Sequence, residues 1–80
     1  MSKINYIKRN DNHLWAVPDD RNNNGLYECL CVTIANEKTA IETANLTRGF
    51  FEPYTKIEKA EFDLAFEKAK KILINKFKEL

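Results

Sequence analysis

Polar and apolar residues alternate from Ile4 to Arg9, with Ile4 and Tyr6 on one side and Ile7 among polar residues on the other. That is the period of a half-buried edge strand. Asn10-Asp11-Asn12 reads as a turn, and His13 to Val17 is a short apolar run closed by Pro18, which has no N–H to offer a ladder. The two runs make a hairpin. Asp19 to Gly25 is almost wholly turn-forming, and Asn24-Gly25 suits the positive φ angles of a tight turn. Leu26 to Ile34 is the clearest strand, because Leu26, Leu30, Val32 and Ile34 fall on one face, interrupted only by Glu28, and Tyr27, Cys29, Cys31 and Thr33 on the other. Both rows are apolar enough to place it at the centre of a three-stranded antiparallel sheet.

Residues 36–48 carry two patterns. Asn36 as cap, Glu37 in the first turn, Ala40, Ile41 and Ala44 on one face and Gly49 beyond the end predict a short helix. Thr39, Ile41 and Thr43 alternating with Ala40, Glu42 and Ala44 predict a strand, which would make the sheet four-stranded. The helix is favoured, because cap, acid and terminal glycine agree. Phe50 to Tyr54 is an aromatic connector, too apolar for a loose linker. Thr55-Lys56-Ile57-Glu58 has capping-box spacing, with helix onset one turn later as the alternative. Then Phe62, Ala65, Phe66, Ala69, Ile72, Leu73, Phe77 and Leu80 recur at three- and four-residue spacing, an amphipathic helix of about five or six turns. The expected fold is α+β: a three-stranded sheet, a short helix and a long C-terminal helix.

Composition bounds this picture without changing it. Eighty residues form one domain, 1–80, since a chain this short buries only about 60% of the surface its unfolded form exposes. With 44% hydrophobic and 31% charged residues the chain is expected to fold. Thirteen basic against twelve acidic residues leave a net charge of +1, so nucleic-acid binding would require local clustering of charge. No apolar run approaches the roughly 20 residues of a membrane helix, and no apolar segment follows Met1 as in a secretory leader. The expectation is a cytoplasmic chain without membrane contact, in which Cys29 and Cys31 are free thiols and Asn45-Leu46-Thr47 is a chance glycosylation match.

Candidate chemistry is sparse. If the second and third strands pair, His13 stands near Cys29 or Cys31, and an imidazole beside a thiol can activate it. Central-strand cysteines more commonly act as small buried hydrophobes, and no glycine-rich turn is placed to build an oxyanion hole. The same three residues lack zinc-site spacing, so neither a metal nor a cofactor is expected. Asp19-Asp20 read as solvated turn residues, and two glycines in all give no phosphate cradle.

Two binding surfaces remain. Lysines outnumber acids five to two over residues 67–80, and Lys70 and Lys71, helped by Arg9, are candidate phosphate contacts. Helix-terminal lysines also have a purely structural explanation in the helix dipole. A three-stranded sheet covered on one face leaves the other open, which makes Tyr27 and Trp15 candidate anchors for a partner protein or a second copy. The expected function is a small non-enzymatic protein-interaction module, of the size of phage or mobile-element accessory proteins. A nucleic-acid-binding module using the lysine-rich helix is the alternative, and a small Cys/His enzyme the third reading.

Overall fold

The computed structural model describes residues 3–35, 38–47 and 54–78. It is an α+β fold in which one antiparallel sheet of five strands carries a single C-terminal helix. The strands are β1 (Ile4–Asn10), β2 (His13–Pro18), β3 (Tyr27–Thr33), β4 (Ala40–Leu46) and β5 (Thr55–Ile57), followed by α1 (Lys59–Phe77). Their spatial order is β4-β3-β2-β1-β5.

The first three strands and the long helix form where the hydrophobic period places them. Two expectations are corrected. Residues 40–46 are a strand, not a helix, and they pair with β3 along its whole length, from Tyr27 opposite Leu46 to Thr33 opposite Ala40. The physical reason lies in β3, whose outer N–H and C=O groups would otherwise be unpaired beneath a packed surface. The second correction concerns Thr55 to Ile57, which is not a capping box but a short strand on β1, Tyr6 opposite Ile57 and Lys8 opposite Thr55. The helix begins one turn later, with Glu58 as an N-cap that makes no side-chain capping bond. These two added strands also correct the sheet itself, which has five strands rather than three or four, with β2 and not β3 at its centre and β3 between β2 and β4.

Gly25 has a φ of +76°, the one positive φ among the described residues. The loop around it is held by Asn22, whose Oδ1 accepts from the N–H groups of Asn24 and Leu26 at 2.9 and 3.1 Å. Asn22 Nδ2 also reaches Asn45 Oδ1 on β4 at 3.1 Å.

The sheet is buried on both faces. On one side Leu14, Val32 and Ile57 meet Phe62 and Ala69 of α1, and Tyr6 lies 5.3 Å from Phe62 between ring centroids. On the other, Ile7, Val17 and Cys29 form a second cluster flanked by Trp15, Tyr27, Leu46 and Tyr54. Tyr54, the one described residue of the aromatic connector, places its ring edge-on to Trp15 at 5.9 Å. The rest of the connector lies outside the described residues. No helix among the described residues is long and apolar enough to cross a membrane.

Candidate functional site

Chemistry gathers at two places, a thiol–imidazole pair and an edge of the sheet. Trp15 pairs with Cys31 and His13 with Thr33, so adjacent strands bring His13 Nε2 to 3.3 Å from Cys31 Sγ. Thr33 Oγ1 stands 3.8 Å from the same sulfur, and Glu42 faces it from β4. The His13 ring also lies 5.2 Å from the Trp15 ring.

Burial moves both groups of this pair away from their charged forms. Burial raises the Cys31 thiol above its ordinary value of 9.0; the Thr33 hydrogen bond lowers it and the Glu42 carboxylate adds to the rise. Burial raises Cys29 too, with Cys31 adding to it. His13 moves the other way, lowered from 6.5 first by burial and then by Arg9, against a smaller pull from Glu42. A cysteine nucleophile requires thiolate beside imidazolium, and both shifts oppose that state. A neutral thiol and a neutral imidazole sharing one hydrogen bond is what remains.

A pH dependence follows. The unfolded chain binds a proton on His13 near pH 6.5 while the folded chain resists it, so stability falls as pH drops from about 7 towards 5. For the thiols the sign reverses, because the unfolded chain releases protons near pH 9.0 while the folded chain retains them, and stability falls as pH rises through 9. Urea midpoints measured from pH 5 to 10 should show a plateau between these limbs. In His13→Gln the acid limb should flatten, and an unchanged limb would assign it to other groups.

The other candidate residues are dispersed. Lys70 and Lys71 are exposed on α1, Lys70 paired to Glu67 at 3.1 Å. At about 100° per residue, Lys68, Lys70, Lys71, Lys76 and Lys78 spread around the helix instead of forming one stripe. Arg9 belongs to the opposite side of the sheet, where it lies near enough to act on His13. Lys8, on the helix side, is engaged by Asp11 at 2.8 Å and Glu61 at 2.7 Å, which push it up to about 12. Trp15 and Tyr27 are half-buried against the second cluster, and the Arg21 guanidinium sits 5.4 Å over the Tyr27 ring. Both rings are therefore partly used by the fold itself.

The second place is the outer edge of β4. Ile34 N donates to Asn12 O at 2.8 Å, which makes Leu14–Val32 and Ala16–Leu30 the hydrogen-bonded pairs between β2 and β3. Each residue points its N–H and C=O to one side of its strand, so Tyr27, Cys29, Cys31 and Thr33 bond to β4. Their partners are Leu46, Ala44, Glu42 and Ala40. By the same alternation Ile41, Thr43 and Asn45 direct their backbone groups away from the sheet. No described strand pairs with them, since β4 ends the order.

The helix packs across β2, β3 and β4. Glu61 and Phe62 engage Lys8 and Tyr6 of β1, Lys68 and Ile72 line a hollow with Thr33 and Ile34, and α1 also lies against β4. On its final turns Ile74 is 59% and Phe77 48% exposed. Comparison with known proteins found no match, whether to a protein-family model, a curated protein or a solved structure.

Proposed function

We propose that this chain is a small non-enzymatic protein-interaction module that receives an extended strand of its partner along β4. The observation that carries this reading is the seven-residue edge with outward-directed Ile41, Thr43 and Asn45. Natural proteins blunt such edges with proline, charged side chains, a bulge or a covering segment. Ala40–Leu46 contains no proline, has Glu42 as its one charge, keeps an unbroken register with β3, and is covered on its outer side by no strand among the described residues. Strand addition on an open edge supplies main-chain hydrogen bonds for affinity, and neighbouring apolar side chains supply specificity. The opposing shifts of Cys31 and His13 weigh against the enzymatic reading, and the dispersal of the lysines against nucleic acid.

The test is retrieval from native extract with tagged parent, Thr43→Pro and a Lys70→Ala, Lys71→Ala pair, with and without nuclease and at two salt concentrations. Proline at 43 removes an outward N–H and leaves the β3 ladder intact. A partner protein should stay bound after nuclease and at high salt, stay bound to the lysine variant, and be lost from Thr43→Pro. Phosphate contacts weaken steeply with salt. A complex that dissolves with nuclease or salt and is lost from the lysine variant would replace this reading with nucleic-acid binding.

A further inference from the structure

We infer that Asn24 is a site of spontaneous modification, deamidation through a cyclic imide, and that the hydrogen bonds centred on Asn22 set its rate. The inference is independent of what β4 receives. In this reaction the backbone nitrogen of the following residue loses its proton to hydroxide and attacks the asparagine Cγ. Ammonia leaves, taking a proton from water, and the imide ring closes. Water then opens the ring at either of its two carbonyls, giving aspartate by one route and isoaspartate by the other.

Sequence and exposure select the position. Asn24 is the one asparagine of the chain that is followed by glycine, and glycine has no Cβ to crowd its own nitrogen as it turns towards the side chain. Asn24 and Gly25 are both exposed, and no atom lies within 4 Å of where a Gly25 side chain would start. Water and hydroxide therefore reach the reacting atoms.

The closed loop opposes the same reaction. Gly25 N, the attacking atom, donates to Asn22 O at 2.9 Å, and this bond both holds its proton and fixes its direction. Asn22 Oδ1 accepts from the N–H groups of Asn24 and Leu26, and Asn22 N donates to Leu26 O at 2.7 Å. Modification thus proceeds through opening of this loop, an exposed segment of the kind that opens well below the cost of global unfolding. Asn22 acts as a positioning residue that keeps the loop shut. Either product adds a carboxylate and takes the net charge from +1 to zero. Isoaspartate also inserts a methylene into the main chain between Asn22 and Leu26, so the loop cannot close again on the same bonds.

The test follows the purified full chain by peptide mapping and mass spectrometry, at neutral and mildly alkaline pH, in buffer and in denaturing urea. Asn24 should convert to a mixture of aspartate and isoaspartate, faster than any other asparagine and faster at the higher pH. In buffer the parent should react about tenfold more slowly than in urea, the factor that corresponds to about 1.4 kcal/mol of loop opening. Asn22→Ala should react at least fivefold faster than the parent in buffer and at the same rate in urea. Asn22→Asp, which keeps the Oδ1 acceptor, should stay within twofold of the parent in buffer. Should Asn22→Ala fail to fold, Asn22→Asp and the parent's ratio between urea and buffer carry the test. No conversion at Asn24, or faster conversion at another asparagine, would overturn the site. Equal rates for the parent in buffer and urea, or a folded Asn22→Ala chain no faster than the parent, would overturn its control by Asn22.

Discussion

Phe62→Ala should bring the chain close to the limit of folding. Phe62 is 4% exposed, it joins α1 to Leu14, Val32 and Ile57, and its ring contacts Tyr6 at 5.3 Å and Phe66 at 6.4 Å. Deleting a buried phenylalanine ring costs about 3 to 5 kcal/mol, the lost transfer energy plus the cavity left behind. A domain of this length has about 4 to 12 kcal/mol in total, at 0.05 to 0.15 per residue. The loss is therefore a large share of the whole. Phe66→Ala should cost less, because Phe66 is half-buried with Lys70 Nζ 5.9 Å from its ring. Thermal and urea unfolding of the two variants should rank Phe62→Ala well below Phe66→Ala, which should itself fall below the parent. Equal midpoints for Phe62→Ala and the parent would mean that α1 does not pack on the sheet.

The helix and the first three strands were legible because each has a periodic signal long enough to override local ambiguity. Phe62, Ala65, Phe66 and Ala69 hold one stripe over two turns, and the observed helix contains it. The strand at 40–46 was not, because its end signals and its interior disagreed: Asn36 and Gly49 frame a helix while Thr39, Ile41 and Thr43 alternate as a strand. What decides between them is the unpaired side of β3, a tertiary demand that no local window contains. Thr55 to Ile57 is harder still, since three residues beginning with a threonine look like a cap until β1 is there to pair with them.

The candidate site divides in the same way. Proximity of His13 to a cysteine followed from pairing β2 with β3, and pairing selected Cys31 over Cys29. The direction of the shifts did not follow, because burial sets it, and burial of that face depends on residues distant in sequence. An open edge is likewise a property of strand order. Only the β-branched alternation at 39–43 hinted that a strand was available to form it.

Ile7→Ala should cost about 2 to 5 kcal/mol, the same range as Leu14→Ala, although the two side chains lie on opposite faces of the sheet. A small antiparallel sheet with one helix layer ordinarily shows water on its other side, where such a change would be worth a few tenths. Here Ile7 and Val17 are both 0% exposed and Cys29 1%, with Trp15, Tyr27, Leu46 and Tyr54 packed around them. The face opposite the helix is therefore a second core, and truncating Ile7 leaves a cavity in it. Glu42→Ala, at an exposed position of the same face, is the control and should stay within about 0.5 kcal/mol. Urea unfolding of the three variants against the parent measures all of this at once. An Ile7→Ala midpoint indistinguishable from that of Glu42→Ala would show the face to be open to water, and would return Trp15 and Tyr27 to the surface as anchors for a partner.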